Sequence, residues 1–226
     1  MGIGYWILFG AFALIGILVQ NRMKSKFHKY GQVGLSNGMS GHQVALAMLS
    51  HYGIHDVKVV QGEGFLSDHY NPQTKTVSLS PEVYGGRSVA AASVAAHECG
   101  HAVQHDTAYS MLKLRSALVP AVKIASVAQQ WGFMAAIFLM GSFPQLLLIV
   151  IVAMLVTTLF SLITLPVEFD ASRRALVWLD DTGTTHGVEY DYAKDSLTWA
   201  AMTYVVAALS SVAMLLYFIL SYFGRD

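Results

Sequence analysis

IASVAQQWGFMAAIFLMGSFPQLLLIVIVAMLVTTLFSLITLPV, residues 124–167, runs for 44 positions without an Asp, Glu, Lys or Arg. A helix needs about 20 apolar residues to cross the hydrocarbon core of a bilayer, so this stretch is long enough for two crossings. Gly141, Ser142, Phe143 and Pro144 give a turn signal near its middle, and the whole reads as a hairpin with spans near 118–140 and 145–165. Lys123 lies close enough to the first span's end to snorkel. The rest of the 226-residue chain agrees with a membrane setting: 54% of its residues are hydrophobic and 12% charged, about half the charge of an average soluble domain.

Outward from the hairpin, residues 3–19 are apolar and uncharged, and Arg22, Lys24, Lys26 and Lys29 follow them. A cleavable signal peptide has its basic residues before the apolar run and a small-residue site after it; the order here is reversed, so 1–20 reads as a retained anchor. Residues 196–224 form a last charge-free run with Trp199 and Tyr222 near its ends, where interfacial aromatics belong. Basic residues concentrate in 21–115 and return at Arg173, Arg174 and Lys194, while the hairpin turn has none and the tail only Arg225. Positive-inside counting therefore places both intervening segments in the cytoplasm and both chain ends outside. Formal net charge is +0 and no basic stripe interleaved with aromatics is present, so nucleic acid is not an expected partner. One cysteine, Cys99, excludes an intrachain disulfide framework and a Cys-rich cluster, leaving histidines and carboxylates as metal ligands.

Segment 21–117 carries soluble patterning. Ser40-Gly41-His42-Gln43 has the form of a capping box before Val44, Ala45, Ala47, Met48 and Leu49, with Gly53 as a stop, and predicts a short helix. Val57–Val60 and Thr74–Leu79 are β-branched, alternating and separated by Gly62, Gly64, Asn71 and Pro72, which predicts paired strands. Ser88 opens an Ala-rich stretch to about Gln104 that favours helix.

Inside that helix, residues 97–101 read His-Glu-Cys-Gly-His. Residues four apart share a helix face, so His97 and His101 can offer imidazole nitrogens to one Zn²⁺ while Glu98 stands beside them as general base. Cys99 turns away as a small packed residue, and Gly100 allows close packing. Two histidines and a water leave one protein ligand to find. His105 lies a further turn along, about 6 Å up the axis, which suits a supporting or surface role. The metzincin pattern fails, because Gln104 and Thr107 occupy its glycine and third histidine positions. Glu168, at the cytoplasmic end of the third span, is the better candidate: two spans intervene, so it returns to the face that holds the HExxH helix. Asp170 can pair with Arg173 or Arg174 at helical spacing or orient a ligand histidine. Asp180, Asp181, His186 and Glu189 are alternatives on the same face, and His186 or Tyr190 are candidates for stabilising an oxyanion.

FLSDHY at 65–70, VSLSP at 77–81, SVAAAS at 88–93, HECGHAVQH at 97–105 and LRSALVP at 114–120 resemble the YugP-type neutral zinc metallopeptidases of bacterial membranes, and the similarity extends over nearly the whole chain. The resemblance implies a zinc-dependent peptidase with His97 and His101 as ligands and Glu98 as catalytic glutamate. The accompanying expectations are one zinc ion, a peptide or membrane-protein substrate and the bacterial inner membrane. More distantly the chain is similar to HtpX and CAAX-processing proteases, whose third ligand opens a Glu-x-x-x-Asp motif. Glu168 matches that glutamate, Ser172 stands where the aspartate would be, and Asp170 is a displaced substitute. By the same likeness, strand 76–80 would be an edge strand that holds peptide through its main chain.

Two competing readings are weaker. Leu179-Asp180-Asp181-Thr182-Gly183 resembles the ligand signature of intramembrane site-2-type proteases, yet the helix between Arg87 and Asp106 has too few strongly apolar residues to span. A non-catalytic scaffold or chaperone with structural zinc would not require Glu98. The expectation is an α-helical integral membrane protein of about four transmembrane helices with a small cytoplasmic α+β zincin-like metalloprotease domain, in the gluzincin manner. Its parts are an anchor at 1–20, the protease segment at 21–117, the hairpin at 118–165, a cytoplasmic segment with the third ligand at 166–195 and a last span at 196–224.

Overall fold

The computed structural model describes residues 2–139 and 145–224, so the expected turn at Gly141 to Pro144 lies outside the described residues. The chain runs α1 (Ile3–Gly31), α2 (Gly41–His51), β1 (Lys58–Gln61), β2 (His69–Asn71), β3 (Thr76–Leu79), α3 (Pro81–Tyr84), α4 (Val89–Asp106), α5 (Ser110–Leu139), α6 (Gln145–Asp181) and α7 (Val188–Phe223). Three of these, α1, α6 and α7, are long and apolar enough to cross a membrane. The expected first limb of the hairpin falls in α5, which is not among the three found within the described residues.

The spanning helices do not stop where their apolar runs stop. At 1.5 Å per residue, the 37 residues of α6 reach about 55 Å, against a hydrocarbon core of about 30 Å. The surplus of α6 and α7 joins the soluble elements. Trp178, Leu179 and Leu197 share one core with Val44 and Met48 of α2, Val77 and Leu79 of β3, and Val89 and Val103 of α4. A second apolar cluster joins Leu147, Val150 and Met154 of α6 to Leu215 and Phe218 of α7. The same two helices thus run through both clusters.

Local chemistry sets the soluble elements. Ser40 Oγ accepts from Gln43 N at 3.3 Å and Gln43 Oε1 accepts from Ser40 N at 2.9 Å, which completes the expected capping box at α2; such a cap contributes about 1 kcal/mol. Gly53, at φ 70°, takes the left-handed turn just past the helix end. Ser88 Oγ accepts from Ala91 N at 3.2 Å and starts α4 where the sequence places it.

The two expected strands do pair, in parallel, as β1 and β3. A third, β2, pairs antiparallel on the other side of β3, giving the order β1-β3-β2. This overturns the expectation that 76–80 is an edge: β3 is central, with both sides occupied and Val77 and Leu79 buried beneath it. The open edges belong to β1 and β2. At three residues, His-Tyr-Asn, β2 is too short to show the alternation by which a strand is read.

Candidate metal centre

Gly100 fixes how closely α4 and α6 approach. A Cβ built on it would lie 2.5 Å from the backbone oxygen of Ala171, so only a glycine lets the two helices touch there. The approach carries Glu168, almost one turn before Ala171, onto the histidine face of α4. Glu168 Oε2 lies 3.4 Å from His97 Nε2 and 3.6 Å from His101 Nε2. Four ligands at about 2.1 Å from a tetrahedral ion stand about 3.4 Å apart, so these are the separations of a ligand set sharing one ion. Glu168 Oε2 is also buried without a hydrogen-bond partner, a costly state for a carboxylate oxygen that a cation at the shared point would relieve. Among the described residues His97, His101 and Glu168 form the one group of three or more His, Cys, Asp or Glu able to hold a metal ion. The donor set therefore fits zinc, with three protein ligands and a fourth position left over.

The far ring nitrogens are held. Gln104 Nε2 donates to Val167 O at 2.8 Å and to Asp170 Oδ2 at 3.0 Å. That turns Gln104 Oε1 to His101 Nδ1, 3.0 Å away; the ring nitrogen must donate, which leaves Nε2 with its lone pair for a metal. Ser172 Oγ is 3.0 Å from His97 Nδ1. Asp170 accepts from Arg173 and Arg174, each at 2.6 Å, so it both pairs with the arginines and supports His101 through Gln104. The aspartate position of the more distant motif is thus filled by a serine that itself reaches His97.

Glu98 is buried, at 8% exposure, between two cavities of about 270 and 190 Å³ that share Asp68, His97, Glu98, Glu168 and Tyr204. Three of the lining groups were not singled out in the sequence. Arg115 Nη1 lies 3.6 Å from Glu168 Oε1, and Tyr204 of α7 lines both cavities. Asp68 accepts from Ser80 N at 2.7 Å and Ser80 Oγ at 3.1 Å; burial outweighs these bonds and, with the charge of Glu98, raises its carboxyl above the ordinary range.

The remaining candidates lie elsewhere. His105 Nδ1 is 2.8 Å from Tyr70 Oη and joins no metal group; burial pushes that phenol up to about 12, so it stays protonated. Cys99 is buried with Sγ 3.6 Å from Ala45 O, and burial pushes its thiol up. Asp180 and Asp181 close α6. His186 packs over Gly183, Glu189 accepts from Ser36 N at 2.9 Å, and Tyr190 sits in the first turn of α7; none of them lines the two cavities at Glu98.

Comparison with known proteins agrees with this chemistry. Residues 5–223 match the model of a family described as "Putative neutral zinc metallopeptidase". The "Putative membrane protease YugP" of Bacillus subtilis (strain 168) is 39% identical over 227 residues, covering 100% of this chain and 95% of that protein. No solved structure matches.

Proposed function

This chain belongs to that zinc metallopeptidase family, and from that premise we propose that it is a membrane-bound zinc endopeptidase with one ion held by His97, His101 and Glu168. The observation that carries the reading is the convergence of those three ligand atoms, all within 4.8 Å of one another, beside a buried Glu98 that opens on a cavity. Three protein ligands leave the fourth position free, as in catalytic rather than structural zinc sites.

A bound zinc ion supplies Lewis acidity, acidifying a water and polarising a carbonyl. Glu98 takes the proton of the attacking water as the water oxygen bonds to the scissile carbonyl carbon. It then hands that proton to the nitrogen as the C–N bond breaks, releasing an amine and a carboxylic acid, whose remaining proton passes to the amine. Arg115 and Tyr204 are the donors we assign to the developing oxyanion, in place of His186 and Tyr190, because they line the cavity that Glu98 faces. The open edge of β2, whose His69 and Tyr70 line the same cavity, offers main-chain pairing to an extended peptide. We further infer that α5 is a fourth span and that the site faces the cytoplasm at the bacterial inner membrane.

The test measures bound zinc and peptide hydrolysis in detergent. Glu98→Gln should keep its metal and lose about 10²- to 10⁴-fold in turnover, while Glu168→Gln should lose metal. Undiminished turnover in Glu98→Gln would sink the protease reading.

A further inference from the structure

α1 and α7 are joined at both ends, and a groove lies between them midway. At one end Tyr5 packs on Tyr217 and Phe218, with ring centroids 6.1 and 5.7 Å apart. At the other, Lys26 Nζ lies 2.6 Å from Asp195 Oδ2, and Tyr30 donates to the same carboxylate at 2.5 Å. Midway, a Cβ built on Gly16 meets nothing within 4 Å. The gap is a groove of about 530 Å³ walled by Phe12, Gly16 and Met23 of α1 and by Thr203, Ala207 and Ser210 of α7. From Phe12 to Met23 it follows α1 for about 16 Å, half the thickness of a bilayer core.

Met23 and Thr203 also line the cavity of about 190 Å³ that holds His97, Glu98 and Glu168. The groove along the apolar run of α1 therefore adjoins, at Met23 and Thr203, the cavity beside His97, Glu98 and Glu168. We propose that it is a lateral entrance for protein substrates held in the bilayer by an apolar segment and cut near the end of that segment. The inference rests on the protease reading above and names its substrate class. A wall at this depth is reached only by molecules already in the bilayer. A lipid chain could lie against it, but a lipid brings no peptide bond to Glu98, whereas a polypeptide leaving the groove past Met23 arrives there with its backbone.

Because a Cβ on Gly16 meets nothing within 4 Å and Gly16 lines the groove, Gly16→Leu places a bulky side chain there; Gly10, whose added Cβ also meets nothing, does not line the groove and provides the control. Full-length, zinc-loaded protein in vesicles would be given two reporters with one cleavable sequence, one soluble and one fused to a single apolar span. Wild type should cleave the anchored reporter preferentially. Gly16→Leu should lower the ratio of anchored to soluble cleavage by about tenfold or more, and Gly10→Leu should keep the wild-type ratio. An unchanged ratio in Gly16→Leu, or a wild type that cleaves only the soluble reporter, overturns the entrance alone. A wild type that cleaves neither overturns the protease reading and the entrance with it.

Discussion

Gln104 uses both ends of its amide, one on His101 and the other on Asp170 and Val167, and Ser172 does the lesser version of this for His97. Groups that fix a ligand imidazole from behind typically carry 10- to 100-fold of metal affinity. Ser172→Ala and Gln104→Leu should each weaken zinc by about that factor in a chelator competition, with melting curves to show that the fold survives; unaltered affinity in both would remove these residues from the site. Asp68 belongs to this scale through its raised pKa. Between the unfolded value, about 4, and the higher folded one, the folded chain binds more protons than the unfolded chain, so wild-type stability falls as pH rises through that window. Asp68→Asn lacks this loss, and its melting temperature relative to wild type should climb as pH rises above the unfolded value; a flat difference would contradict the assignment. His97, Glu98 and His101 were legible because their relation is local, within five consecutive positions of one helix. Asp68, Arg115 and Tyr204 were not, because only the packing of the loop before β2, α5 and α7 around α4 brings them to Glu98.

Between elements, the contact that matters most is α4 on α6 at Gly100. Helix propensity alone says that Gly100→Ala should stabilise α4 by about 1 kcal/mol. The added Cβ would sit 2.5 Å from a backbone oxygen of Ala171, an atom that no rotamer change can move, and overpacking of this kind costs about 1–3 kcal/mol. The clash therefore wins. We expect Gly100→Ala to lower the melting temperature and, by pushing Glu168 off the histidines, to weaken zinc more than Glu98→Gln does; a higher melting temperature would show that the helices do not meet as closely. The sequence pointed to close packing at Gly100 and to Glu168 as the returning ligand, since a two-span hairpin brings a chain back to its starting face. The edge at 76–80 was expected only from the likeness to the more distant proteases; β2, too short at three residues to show periodicity, takes that side of β3.

In the whole molecule, the long helices overshoot the membrane on one side. The surplus of α6 and the start of α7 belong to the core that holds α2, α4 and the sheet, and α1 extends past its apolar run with Arg22, Lys24, Lys26 and Lys29. Arg22 lies over the Trp199 ring at 5.7 Å and Lys26 pairs with Asp195, so the basic end of α1 and the entry of α7 sit at one level, beside the metal centre. Positive charge at that level is retained on the cytoplasmic side of a membrane, whereas the described residues at the far ends of α1 and α7 carry none. The orientation can be read with thiol labels, because native Cys99 is buried and should stay silent. A membrane-impermeant maleimide applied to intact cells should label Gly224→Cys and leave Gln73→Cys, on the exposed turn after β2, unlabelled until the membrane is permeabilised. The inverse pattern would place the metal centre outside the cell and reverse the face on which any substrate is cut.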